Sequence, residues 1–163
     1  MQGQMKRFAG VILGALALTA VPAAVVAQAP EPIVGTWKLD VAKSTYKPGP
    51  VPKSQTIVVE QAGKGVKVAI DAVNADGSSL KWGFATLRDG KTESPVTGNP
   101  LFDTIMSTRE SANAGTNLYK KGGKLVSTTK VDIAADGKTM TVTSTGTDAK
   151  GQAVNNVSHY VRQ

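Results

Sequence analysis

Apolar residues recur at every second position along much of this chain, and glycine-bearing turns interrupt the alternation at short intervals. Val66, Val68 and Ile70 alternate with Lys67, Ala69 and Asp71; Leu80, Trp82 and Phe84 alternate with Lys81, Gly83 and Ala85. Successive side chains of a strand point to opposite faces, so a period of two marks a strand with one face buried, whereas a helix needs a period near 3.6. Asp76-Gly77, Asp89-Gly90 and Asp136-Gly137 punctuate the runs, and glycine supplies the positive φ that tight hairpin turns require. Further strands are expected over residues 33–39, 56–61, 104–110, 117–120, 124–133, 139–147 and 154–162. The stretch 46–52 holds Pro48, Pro50 and Pro52. Proline lacks the donor that a sheet ladder needs, so this stretch reads as a loop or an edge.

Hairpins in series make an up-and-down meander, and a long meander keeps two unpaired edges unless it closes on itself. The expectation is an all-β fold: one antiparallel up-and-down β-barrel of about eight to ten strands. A two-sheet sandwich is the other arrangement that the spacing allows.

The first residues point to export. Lys6 and Arg7 are the only charges before Glu31, an apolar run from Phe8 to Ala20 follows, and small residues surround Ala27. A basic start, an apolar centre and a small-residue exit are the parts of a secretory signal peptide. A cut after Ala27 makes residues 1–27 the signal peptide and residues 28–163 one domain, placed in the periplasm or secreted. The chain has no cysteine, so neither a lipid on an N-terminal cysteine nor a disulfide contributes, and burial alone must hold the domain together. Losing Lys6 and Arg7 reduces the nineteen basic residues to seventeen against twelve acidic, a net charge of +5. Beyond the cut the bases are scattered, with only Lys120 and Lys121 adjacent. That pattern reads as a solvated surface, not a nucleic-acid or membrane footprint, and a monomer is expected.

Gly35-Thr36-Trp37, at the first apolar run, resembles the G-x-W signature of lipocalins and related calycin barrels. The wider stretches GTWKLDVAKS, PGPVPKSQT and PVTGNP are similar to exported bacterial proteins of lipocalin-like type. The resemblance covers most of residues 33–163. It implies that Trp37 packs across a closed barrel end and that a basic side chain from the last strand, Arg162, lies over it. Gly35, Trp37 and Arg162 would then form a structural barrel-end motif. Two features depart from lipocalins proper: no helix precedes the last strands, and the disulfide is missing. A compact or divergent barrel is therefore expected.

Catalytic constellations are hard to find. His159 is the only histidine, and neighbouring strand residues such as Ser158 and His159 point to opposite faces. With no cysteine and one histidine, a metal site is not expected, nor is a cofactor. Asp71, Asp76, Asp89, Asp136 and Asp148 stand at or beside turns, where aspartate is favoured for local hydrogen bonding. The segment around Asn74-Ala75-Asp76-Gly77 fails as a calcium loop, because Ala72 and Gly83 occupy the first and last ligand positions. An enzyme is not expected.

A barrel interior remains as the candidate site. Val66, Val68, Ile70, Leu80, Trp82, Phe84, Ile105, Leu125, Val131, Met140, Val142 and Val157 are expected to face it, with Val161 as a further inward position. The aromatic residues number two Trp, three Tyr and three Phe, so smaller aliphatic side chains must fill much of the interior, which favours free volume. The functional expectation is an exported binding barrel for a small apolar or amphipathic ligand. The alternative is a periplasmic interaction module or enzyme inhibitor that acts through its loops, at residues 46–52 and 97–102.

Overall fold

The computed structural model describes residues 31–163; the signal peptide read in residues 1–27 lies outside the described residues. Ten antiparallel strands follow one another around a closed barrel. They are β1 (Gly35–Leu39), β2 (Ser54–Ala62), β3 (Gly65–Val73), β4 (Ser79–Thr86), β5 (Asp89–Thr97), β6 (Thr104–Arg109), β7 (Ala114–Lys121), β8 (Lys124–Ile133), β9 (Thr139–Thr147) and β10 (Ala153–Arg162). Each strand pairs with its neighbours in sequence, and β1 closes the ring on β10 through Trp37–Arg162, Lys38–Val161 and Leu39–Tyr160. The arrangement is a barrel and not a sandwich, because this last pairing satisfies the edges that an open meander would expose.

Alternation places the side chains. On β3, Val66, Val68, Ile70 and Ala72 are buried while Lys67, Ala69 and Asp71 are exposed. The buried apolar side chains form two groups. A larger one holds Trp37, Leu39, Val59, Val66, Val68, Ile70, Val131, Ile133, Met140 and Tyr160, and a smaller one holds Val96, Ile105 and Tyr119. Between β1 and β2 the chain makes a 3-10 turn at Val41–Lys43, where Asp40 accepts from the Lys43 amide at 3.3 Å. Thr45 then rejoins the sheet as a bridge to Val157 of β10.

The turn signals need one correction. Asp89-Gly90 is not a turn but the start of β5, and the chain reverses at Leu87–Arg88 instead. Arg88 supplies the positive φ there, at 59°, while Asp89 caps the strand start by accepting from the amides of Lys91 and Thr92. Strand β5 hid from the alternation rule because its sequence, DGKTESPVT, is polar and contains a proline. Its ladder with β4 is short, covering only Gly83–Thr97 and Phe84–Val96. It stops where Pro95 would have to face Ala85, since proline has no amide hydrogen to donate.

Candidate functional site

The two barrel ends differ. One end gathers residues 31–34, the β4–β5 turn, the β6–β7 and β8–β9 loops and the C-terminus, and it is plugged. Trp37 is fully buried, and its indole Nε1 donates to the Ile33 carbonyl at 2.8 Å. Arg162 lies over the indole at 4.2 Å from the ring centroid. The guanidinium also ties two backbone segments together: it donates to the carbonyls of Gly137 at 2.6 Å in the β8–β9 loop and of Val34 at 2.7 Å and Pro32 in the N-terminal segment. Gly35 leaves the space for this, because a Cβ there would sit 2.5 Å from an Arg162 nitrogen.

Charge completes the plug. Glu31 accepts from Arg88, and its other oxygen lies 3.2 Å from Arg109. Arg88 is nearly buried, with 8% of its side chain exposed. Burial pulls its guanidinium down from the ordinary value, and the Glu31 carboxylate opposes that shift.

At the other end the β1–β2 loop, the β5–β6 loop and the β9–β10 turn surround a mouth. Tyr46, Pro48 and Pro52 of the first, Asn99, Leu101 and Phe102 of the second, and Asp148 of the third line the entry to an interior cavity of about 420 Å³. That volume is in the range of sites for small organic molecules. A more open depression of about 1230 Å³ lies over the outer face of β2–β5. It is the saddle of a curved sheet and is lined by Lys67, Asp71 and Lys81 as well as small residues, so the interior is the enclosed site.

Most of the side chains expected to face the interior line this cavity: Val66, Val68, Ile70, Leu80, Trp82, Phe84, Val131, Met140 and Val142. Three do not. Ile105 is fully buried but packs with Val96 and Tyr119 in the smaller core group, not on the cavity surface. Leu125 is 57% exposed. The register between β7 and β8 slips there, from Tyr119–Ser127 to Lys120–Leu125, so Val126 is an extra residue and Leu125 leaves the inward face. Val157 belongs to the outer face of β10, where it pairs with Thr143 and bridges to Thr45. The inward residues of that strand are Val154, Asn156, Ser158 and Tyr160. Val161 is likewise outside, 40% exposed.

Strand β10 misled because its Val157, His159 and Val161 face looks the more apolar. Burial of Tyr160 decides the opposite parity, and Ser158 follows it inside. His159 accordingly sits on the outer side, its Nδ1 3.3 Å from the Thr141 hydroxyl.

Aromatic and polar residues that the alternation of aliphatics passed over complete the wall. Trp82, Phe84, Phe102 and Tyr119 form one cluster, with Phe102 and Tyr119 stacked at 4.6 Å and Trp82 edge-on to Tyr119 at 6.0 Å. The Tyr46 hydroxyl meets the Ser158 hydroxyl at 2.9 Å. Burial pushes the Tyr46 phenol up, partly offset by this hydrogen bond. Burial pushes Tyr119 and Tyr160 higher still. Ser107, Asn117, Ser127, Thr129, Ser144 and Asn156 also face the cavity. The signal was present on three strands, where the period of two reaches Ser107 from Ile105, Thr129 and Ser127 from Val131, and Ser144 from Val142. Asn117 and Asn156 lie on β7 and β10, where no expected inward residue had the right parity. Among the described residues, no cluster of three metal-ligating side chains occurs.

A ten-stranded closed meander, plugged at one end and hollow behind a loop-lined mouth, defines a β-barrel with an enclosed interior site. No protein-family model matches the chain, and no curated protein matches it either. Among solved structures, the chain is similar to a zebrafish ileal bile acid-binding protein complexed with cholic acid. The similarity runs over 81% of this chain and 99% of that one, at 15% identity and a TM-score of 0.46.

Proposed function

We propose that this protein is an exported binding barrel for a small apolar or amphipathic ligand. One observation carries the reading: a cavity of about 420 Å³ opens between loops at one end while the other end is plugged by Trp37 and Arg162. Burying an apolar ligand surface against Val68, Ile70, Leu80, Trp82 and Phe84 would contribute roughly 25 cal/mol per Å². The reading includes no catalytic step, and the chain is taken to act as a monomer.

The loop-interaction alternative receives less support. Pro48, Pro52, Leu101 and Phe102 all line the cavity mouth, so the apolar residues of both loops are accounted for by an entry to the interior, although Leu101 is also 40% exposed. Export rests on the basic, apolar and small-residue succession before Gln28. It delivers a chain that begins just ahead of Glu31, the residue that seals the plugged end.

Native mass spectrometry of the protein recovered from its own cells tests both parts. The expected spectrum is that of residues 28–163 carrying an extra mass that leaves on unfolding. An uncut chain counts against export. A bare barrel that also fails to take up apolar probes at micromolar concentration overturns the binding reading.

A further inference from the structure

The cavity wall carries a continuous polar row, or belt, on β6–β10, set among Val131, Met140 and Val142, and faces a mainly apolar surface on β2–β4. Ser107 of β6 lies opposite Asn117 of β7, and Asn117 opposite Thr129 of β8. Thr129 lies opposite Ser144 of β9, and Ser144 opposite Asn156 of β10. All five side chains face the cavity. Across the barrel, the corresponding rows on β2, β3 and β4 are Ile57–Ile70–Trp82 and Val59–Val68–Phe84. Strands in a closed barrel tilt against its axis, so a row of direct cross-strand neighbours runs obliquely down the wall. A long molecule can therefore touch several belt members at once.

The belt is only partly satisfied by the protein. Thr129 and Ser144 share a hydrogen bond of 3.1 Å, and Asn156 accepts from the Lys47 amide at 3.0 Å. The Ser107 hydroxyl is different: the residue is 1% exposed, and the hydroxyl has no partner among the described residues. A buried hydroxyl without a partner costs stability, and native proteins rarely keep one unless something completes it. Five polar side chains aligned in one wall of a cavity, when aliphatic residues would fill it at lower cost, point to a bound molecule with matching groups.

Charge narrows the class. None of the five belt residues is ionisable. The cation at the base, Arg88, is engaged by Glu31. Asp148 at the mouth accepts from the amides of Lys150 and Gln152 at 2.8 Å, capping its own turn. A carboxylate or ammonium on the ligand would lose its hydration without gaining an unengaged counter-charge.

Building on the reading of the barrel as a binding protein, we propose that its ligand is an uncharged lipid bearing two or more hydroxyl groups. Its hydroxyls lie on the Ser107–Asn156 belt and its hydrocarbon lies on the β2–β4 wall. The experiment is displacement of the neutral fluorescent probe N-phenyl-1-naphthylamine from the purified full chain. Three competitors are used: glycerol monolaurate, propyl laurate (the same skeleton without the two hydroxyls) and laurate.

Wild type is expected to bind glycerol monolaurate about tenfold more tightly than propyl laurate, two modest hydrogen bonds' worth, and more tightly than laurate. Ser107→Ala with Thr129→Val is expected to erase that preference, bringing the ratio of the two esters' affinities to about one. Because the substitutions lie inside the cavity, they also separate binding there from binding elsewhere on the chain. Equal affinity of the two esters for wild type, or a preference that survives the double substitution, overturns the belt proposal and leaves the binding barrel standing. A preference for laurate overturns the uncharged class. If neither the probe nor any competitor binds, the binding reading itself falls. Should the double variant fail to fold, the wild-type comparison of the two esters decides alone.

Discussion

Tyr119 and Tyr160 carry their phenols into the barrel, and burial raises both far above the ordinary value near 10. The folded barrel therefore keeps these protons when the unfolded chain has lost them. Stability is full below about pH 10, where both states are protonated, and falls as the pH rises above it. Each phenol withdraws roughly 1.4 kcal/mol per pH unit in that range. Tyr119→Phe removes one of them and, among the described residues, breaks no side-chain hydrogen bond. Urea unfolding followed by tryptophan fluorescence at pH 8, 10 and 11 should show a shallower alkaline loss for this variant than for wild type. Parallel losses would mean that the Tyr119 hydroxyl is not sequestered in solution.

At the scale of single strands, parity is what can go wrong. On β3 and β4 each alternate residue states its own side, and Val66, Val68, Ile70, Trp82 and Phe84 reach the cavity. On β8 the same rule carries from Ile133 through Val131 to Thr129 and Ser127, then fails at Leu125. The cause is the extra residue, Val126, which the β7 ladder skips between Tyr119–Ser127 and Lys120–Leu125. On the other side of β8, Gly146 of β9 pairs with Ser127, and a Cβ at Gly146 would clash with the Val126 carbonyl. A bulge leaves no mark in hydrophobicity, because it is a property of the pairing and not of either strand alone. Leu125→Lys should change unfolding free energy by less than about 0.5 kcal/mol, as an exposed substitution does. Ile105→Ala, at a fully buried position that sequence also placed inward, should cost about 3 kcal/mol. Chemical denaturation of the two variants checks the contrast, and a large loss for Leu125→Lys would argue against the bulged register.

For the molecule as a whole, closure depends on a few contacts at the plugged end. Residues 31–34 cross beneath the barrel, and Arg162 clasps them to the β8–β9 loop while Glu31 joins Arg88 to Arg109. The Glu31–Arg88 pair is largely removed from water, so losing one partner strands the other charge. Glu31→Gln should lower stability by about 3 kcal/mol in urea unfolding, and Glu31→Gln with Arg88→Met should recover part of that loss. An additive double variant would show that the two side chains do not interact in solution.

The chain's local chemistry determined every strand but β5, the meander and the need for closure. Period-two alternation and glycine turns are properties of neighbouring residues, and an unclosed edge is costly wherever it falls. A resemblance, not local chemistry, singled out Gly35, Trp37 and Arg162 as residues of one motif. Only the tertiary structure decided what the interior is made of. Which face of β10 turns inward depends on where Tyr160 can be buried, and the parity of β8 depends on a bulge in its pairing with β7. The polar belt exists only because five separate strands bring Ser107, Asn117, Thr129, Ser144 and Asn156 into one row of cross-strand neighbours. Each of these is an ordinary strand residue in its own segment. Register, a relation between distant segments, turns them into a surface.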